Sequence, residues 1–186
     1  AGDRVAMLQV NCNEHMEAYF ATAKLDAIFV PLNFRTRPEE LAYMLNDAEP
    51  KVLITGQRYL GLVDSTRDMA SAVQHYLALE SKPTQQGWLF YDDMLQAASD
   101  EERFPTNDDD DITIIMFTAG TTGTPKGVML SHNSFSSYIL ANVSPVDPDL
   151  GEKNIFTVPL YHIAGIQAVM AAIYGGRTLV VQGQFE

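Results

Sequence analysis

Residues Phe117 to Val128 read FTAGTTGTPKGV, directly after the apolar run Ile112 to Phe117. That run is short and lies between the acids Asp108 to Asp111 and a glycine-rich segment, so it predicts a buried strand. The stretch itself contains three glycines, four threonines, a proline and a lysine. Gly120 and Gly123 can take positive φ and let the backbone approach a ligand closely, while each threonine offers a hydroxyl and a backbone N–H. Lys126 adds a mobile ammonium, and Pro125 fixes φ just before it. A strand running into such a loop suits phosphate. A Walker loop needs glycine directly before its lysine and Ser or Thr directly after it. In this chain Pro125 precedes Lys126 and Gly127 follows, which argues against a P-loop NTPase.

Working outward, Val128 to Leu130 continue as a strand, and Ser131 or Asn133 can cap a helix over residues 134–143. Ile155 to Pro159 read as a strand, Ile163 to Tyr174 as an apolar helix, Gly175-Gly176 as a turn and Arg177 to Val181 as a strand. Upstream, Arg4 to Val10 predict a strand and Asn11 to Glu14 a polar turn in which Asn13 caps a helix ending near Leu25. Ala27 to Leu32 form a second strand with Pro31 at its end. Pro38-Glu39-Glu40 starts the next helix, with proline and acids in the first turn, and Lys51 to Thr55 is the third strand. Strand and helix in alternation predict an α/β fold with parallel strands. Leu60 to Met69 and Tyr91 to Ala98 have helical spacing, and Val73 to Leu79 read as a strand. Ser99 to Asp111 is an acidic, solvated connection, because four consecutive acids do not converge on one ion.

The 186 residues, 46% hydrophobic and 19% charged, suffice for one sizeable core. A net charge of −12 argues against nucleic acid or an anionic membrane as a broad-surface partner. It does not forbid a bound phosphate, since salt screens exposed charges beyond about 8–10 Å while loop N–H dipoles act at contact. No apolar stretch approaches the roughly 20 residues that span a bilayer, and no secretory leader pattern is present, so cytoplasm is the expected compartment. Cys12 reads as an inert, partly buried thiol. His15 and His75 have no partners at metal-ligand spacing, and the four histidines offer no nucleophile triad.

The loop resembles the signature of the adenylate-forming superfamily, whose acyl-CoA synthetases, luciferases and peptide-synthetase adenylation domains carry aromatic-Thr-Ser-Gly-Thr-Thr-Gly-x-Pro-Lys-Gly. Ala119 departs from it, standing where Ser or Thr is usual. Pro159-Leu160-Tyr161-His162 with Gly165 resembles the family's Pro-Leu-aromatic-His-x-x-Gly motif. The resemblance extends through Gly2-Asp3-Arg4-Val5, Val30-Pro31-Leu32-Asn33, Pro38-Glu39-Glu40-Leu41 and Lys51-Val52-Leu53-Ile54. Asp26 occupies a place where glycine is commoner, which implies a local change in that turn. The chain is most similar to an AMP-forming acyl-CoA synthetase.

This resemblance implies an α/β fold of mainly parallel sheets flanked by helices, forming part of the family's large N-terminal domain. Residues 1–111 would be its first α/β portion; residues 112–186 would carry the phosphate loop and the start of the acyl pocket. Thr118, Gly120, Thr121, Thr122, Gly123 and Lys126 would hold the β- and γ-phosphates of ATP, with Ala119 and Thr124 in the same loop. Thr118 would also help hold magnesium. Tyr161, His162 and Gly165 would belong to the acyl-substrate pocket, with the helix after them lining it, whereas His132 is read as a hydrogen-bonded helix start. The implied chemistry is attack of a fatty or aryl carboxylate on the α-phosphorus of ATP, followed by displacement of AMP by the thiol of CoA.

The family's adenine-contacting segment, ribose-holding aspartate, hinge and C-terminal lysine are not found before Glu186. The expectation is a fragment lacking the C-terminal domain, inactive alone, with surface left exposed for self-association. The alternatives are a non-catalytic nucleotide- or anion-binding or interaction module, and an adenylation domain or luciferase-like member of the superfamily.

Overall fold

A computed structural model describes residues 1–118, 124–146 and 151–183. The first half alternates strand and helix: β1 Arg4–Leu8, α1 Asn13–Lys24, β2 Ile28–Pro31, α2 Pro38–Ala48, β3 Val52–Thr55, α3 Leu60–Asp64, β4 His75–Ala78, β5 Trp88–Phe90 and α4 Tyr91–Ala97. The second half adds β6 Ile112–Thr118, β7 Lys126–Ser131, α5 His132–Asn142, β8 Lys153–Phe156, α6 Ile163–Tyr174 and β9 Thr178–Val181. A seven-stranded sheet runs in the order β5-β4-β3-β1-β2-β6-β7, and β8 pairs with β9 in a second, two-stranded sheet. Within the larger sheet β1, β2, β3, β4, β5 and β6 are mutually parallel, while β7 returns antiparallel to β6. The expected parallel α/β architecture is therefore present, with one antiparallel edge strand.

Side-chain alternation explains how the sheet is covered on both faces. Ala6, Leu8, Val30, Leu32 and Leu53 point to one face and pack under Leu41, Met44 and Leu45 of α2 and Leu60 and Val63 of α3. Met7, Phe29, Ile54, Ile114 and Met116 point to the other and meet Ala18 and Tyr19 of α1, Phe135 of α5, and Ile166 and Val169 of α6. Strands buried on both faces are apolar throughout, which is why RVAML, IFVP and VLIT lack a polar alternation.

Several local readings need correction. Asn13 is not the cap of α1: Cys12 holds the cap position, and Asn13 lies inside the first turn, donating from Nδ2 to Glu17 Oε1 at 2.9 Å. Ser131, not Asn133, caps α5, its Oγ accepting the Ser134 N–H at 3.3 Å. The helical spacing over residues 60–69 breaks into the short α3 and a 3₁₀ turn at Arg67–Met69. The strand expected at Ile155 to Pro159 lies earlier, at Lys153–Phe156, because the backbone around Pro159 bonds to a side chain instead of a strand. β5 has no counterpart in the sequence pattern.

Asp26 holds its turn in the conformation that glycine favours and adds bonds that glycine could not make. Its φ is 53°, a conformation free to glycine and tolerated by aspartate. The carboxylate accepts the backbone N–H groups of Thr106 (2.8 Å) and Asn107 (3.2 Å) and the Thr106 hydroxyl. These bonds, the hydroxyl's first, hold its pKa below the ordinary carboxylate value. The acidic connection is thereby stapled to the turn between α1 and β2. Among the described residues, no helix is long and apolar enough to cross a membrane.

Candidate functional site

Thr118 is the last residue of β6 and Lys126 the first of β7, and the two are register partners, followed by Phe117 with Gly127 and Met116 with Val128. The Gly/Thr stretch thus closes an antiparallel hairpin at the end of the sheet. Ala119, Gly120, Thr121, Thr122 and Gly123 lie outside the described residues. Thr118, Thr124 and Lys126 are exposed. A Walker loop runs into a helix and sets phosphate on the helix's positive end. A hairpin offers no such dipole, so an anion at this place relies on loop N–H groups, hydroxyls and the Lys126 ammonium. Gly127 lies close under its neighbours: a Cβ there would sit 3.0 Å from Ile115 Cγ2, so that side chain would have to shift to admit it.

The second motif folds as a tight turn into α6. The Pro159 carbonyl accepts the His162 N–H at 3.1 Å, and the His162 carbonyl accepts the N–H groups of Gly165 at 2.9 Å and Ile166 at 3.3 Å. A side chain at Gly165 would collide with the Pro159 carbonyl, so glycine is required by contact at a position where φ is negative. His162 occupies the N-cap of α6, where the helix macrodipole is positive. Its ring lies 4.5 Å from that of the buried Tyr161, tilted by 39°. Tyr161 in turn meets Phe34 edge-on at 5.4 Å, which wedges the motif against the loop leaving β2.

The two motifs meet. Thr118, Phe117 and Val128 of the hairpin and Tyr161, His162 and Ile163 line one cavity of about 180 Å³. A larger apolar groove of about 570 Å³ lies elsewhere, between α1, α5 and the C-terminal end of α6, and among the described residues none of the phosphate or acid-site candidates lines it. His132 does border that groove. Its backbone N–H donates to the Asp111 carbonyl at 3.2 Å, and its Nε2 lies 3.1 Å from Asn107 Nδ2, as befits a hydrogen-bonded helix start.

Residues 1–186 match the family described as AMP-binding enzyme. The chain belongs to that family. A long-chain fatty acid–CoA ligase of Thermus thermophilus is 36% identical over 184 residues, 98% of this chain and 33% of that protein. The inhibitor-bound N-terminal domain of FACL13 from Mycobacterium tuberculosis superposes on all of this chain with a TM-score of 0.85 and 30% identity, this chain covering 45% of it. The anthranilate CoA ligase AuaEII, solved with anthranoyl-AMP, gives a TM-score of 0.90 at 25% identity over 99% of this chain and 36% of that one. This AMP-binding chain therefore spans about a third of the length of the Thermus relative. Its mostly parallel sheet flanked by helices is the architecture of the N-terminal domains of adenylate-forming enzymes.

Two further residues of this AMP-binding chain brace the second motif and do not stand out in its sequence. Phe34 backs Tyr161, but nothing in its neighbourhood marks it from a core aromatic. Asn11 reads only as part of a polar turn, yet it is 6% exposed and bonds to the segment around Pro159. The usable signal is an amide directly after a buried strand. Neither His15 nor Cys12 lines the cavity shared by the two motifs. His15 is buried, its Nε2 has no partner among the described residues, and burial lowers its pKa to about 3. Cys12 Sγ sits 3.5 Å from His15 Nδ1, and burial, with Glu14 adding to it, pushes the thiol well above its ordinary value. A thiol so protonated is inert as a nucleophile.

Proposed function

We propose that this chain is the first portion of the large N-terminal domain of an ATP-dependent acyl-CoA ligase, carrying the pyrophosphate grip and the start of the acid pocket. The observation that carries the reading is the single cavity lined by Thr118 at the hairpin base and by Tyr161 and His162. The adenylation step brings a carboxylate to the α-phosphorus of ATP, so the triphosphate and the acid must approach one point from two sides. Two sequence motifs facing one space meet that demand.

In this reading Thr118, Gly120, Thr121, Thr122, Gly123, Thr124 and Lys126, with the Ala119 N–H, hold the β- and γ-phosphates. Lys126 neutralises charge that builds on the leaving pyrophosphate, and such electrostatic contacts supply much of the rate when they are held in place beforehand. Tyr161 and His162 orient the carboxylate, with Gly165 allowing the tight turn that puts them there. The Thr118 hydroxyl suits magnesium, which takes oxygen ligands and is usually bound through one or two protein groups plus phosphates and water. Bound with ATP, the ion would supply charge neutralisation on the phosphates. The acid is of the fatty or aryl class, in keeping with relatives named for long-chain fatty acids and anthranilate. CoA then takes the acyl group as a thioester.

The test is ATP–pyrophosphate exchange in the longer protein that carries this chain, with fatty and aryl acids as substrates. Exchange is expected, and Lys126→Ala should reduce it more than Ala119→Ser does. The 186-residue chain alone should release no pyrophosphate. Pyrophosphate release by this chain, or equal effects of the two substitutions, would overturn these roles. A longer protein that binds nucleotide yet supports no exchange would favour a non-catalytic binding module.

A further inference from the structure

We infer that Asn11 is a positioning residue for the acid site, acting through the backbone on either side of Pro159 to set the orientation of Tyr161 and His162. The inference rests on the function proposed above. Asn11 lies just beyond β1, at the centre of the sheet, and its side chain is buried. Nδ2 donates to the Val158 carbonyl at 3.0 Å, and Oδ1 accepts the Leu160 N–H at 2.9 Å. The carbonyl of one residue and the N–H two residues on lie on the same side of an extended chain, where a neighbouring strand would normally bind both. The Asn11 amide takes the place of that strand. Nδ2 also reaches the Gln182 carbonyl at 3.3 Å, and the Asn11 backbone N–H donates to the Gly183 carbonyl at 3.1 Å. Asn11 thus holds together the end of β1, the segment beyond β8 and the segment beyond β9.

The consequence for the site follows through short covalent paths. Leu160, gripped by Oδ1, directly precedes Tyr161 and His162. Pro159, between the two gripped residues, supplies the carbonyl that receives the His162 N–H and against which Gly165 packs. A change at Asn11 therefore tilts the turn from which both rings project. Among alternative side chains, aspartate keeps the acceptor but turns lone pairs toward two carbonyls, and leucine removes every side-chain bond. Glutamine is one methylene too long for this spacing. Gln9, the neighbouring buried amide, is engaged elsewhere, with Glu80 at 2.8 Å and the Val10 N–H at 2.9 Å, so it cannot substitute.

The experiment compares Asn11→Asp with Phe156→Leu, a core change in β8 that disturbs the small sheet and leaves the side-chain bonds of Asn11 to Val158 and Leu160 in place. In the longer protein, Asn11→Asp should raise KM for the carboxylic acid about tenfold, the scale of a small misplacement of a reacting group, with KM for ATP unchanged. Phe156→Leu, compared at equal thermal stability, should leave both constants near wild type. In parallel, the ring NMR signals of His162 should shift in Asn11→Asp and not in Phe156→Leu, while those of His75 at the opposite side of the sheet stay put. Should Asn11→Asp fail to fold, Asn11→Ser, which keeps a donor and an acceptor, takes its place. An unchanged acid KM, a matching rise in the ATP KM, or unmoved His162 signals would overturn the inference. Absence of exchange in the wild type would remove the proposed function instead, and the His162 signals would then decide the role of Asn11 alone.

Discussion

The ends of β1 and β6 lie at the same edge of the sheet, since both strands run parallel to β2, yet they are built in opposite ways. Beyond β1 the polar side chains are buried and satisfied by the protein: Gln9, 3% exposed, bonds to Glu80, and Asn11 bonds to the turn and to the end of β9. Beyond β6 the polar side chains Thr118, Thr124 and Lys126 are exposed. Open α/β sheets usually bind ligands where the strand order reverses, in this sheet beside β1, from which the chain proceeds first to β2 and then across to β3. In this protein the segments that follow β8 and β9 bond to Asn11 just beyond β1, Val158 and Leu160 through its side chain and Gly183 through its backbone N–H. The hairpin at β6–β7 keeps its polar groups exposed, and Tyr161 and His162 of the turn face it across the shared cavity. The difference teaches that a strand end rich in polar groups need not be a ligand site. Whether those groups are already bonded within the protein separates scaffold from site.

Three measurements would break or sharpen that contrast, and the largest effect is expected at the open end. Lys126→Ala in the longer protein should lower adenylation by about 10²–10³-fold, the range for removing one donor that stabilises developing charge. Because the side chain is exposed, the urea midpoint should not move. A loss of stability matching the loss of activity would place Lys126 in the scaffold and erase the contrast.

At the filled end the reverse is expected. Gly165→Ala should destabilise the fold by about 1–3 kcal/mol, because the new methyl meets the Pro159 backbone, which is held from both sides and cannot yield cheaply. Denaturant unfolding checks this, and a neutral result would show that the turn is looser than the Asn11 bonds imply.

The smallest effect is electrostatic and belongs to the helix that leaves the β1 end. Burial lowers the His15 pKa from 6.5 to about 3, so the unfolded chain takes up this proton more readily than the folded one. The group costs no stability above pH 6.5 and progressively more as pH falls toward 3, with a slope of up to about 1.4 kcal/mol per pH unit in that window. His15→Leu should remove this slope, measured as the difference between the two proteins' stabilities at pH 7 and pH 5.5. Parallel pH profiles would mean that water reaches the ring.

Much of the fold is legible in the chain's local patterns. Ile163 to Tyr174 emerges as α6 with the expected bounds, since eleven apolar or small residues interrupted by Gln167 alone, followed by Gly175-Gly176, leave little choice. Pro31 at a strand end and Pro38 at a helix start hold because proline's fixed φ and missing N–H restrict it to such places. Two expectations fail for different reasons. Asn13 lies one position inside α1, with its side chain bonded to Glu17 of the same helix, and the strand before Pro159 lies upstream of its expected place because Asn11, far away in sequence, binds the backbone on either side of that proline. β5 is unreadable for a related reason. Trp88 is held by partners distant in sequence, its Nε1 donating to Asp64 at 2.9 Å and its ring meeting Tyr76 and Arg67.

The sequence by itself determined the elements and the chemical character of the two motifs, because propensity, capping and loop chemistry act within a few residues. Only the tertiary structure decided that the strands on either side of the Gly/Thr loop pair antiparallel. It alone brought Thr118 and His162 to one cavity and turned Asn11 from part of a polar turn into a buried clasp. Those outcomes depend on which strands pair and which carbonyls are left without a partner, and buried carbonyls without partners cost about 1–3 kcal/mol each. Such constraints act between residues more than a hundred positions apart, as between Asn11 and Leu160, and no local pattern records them.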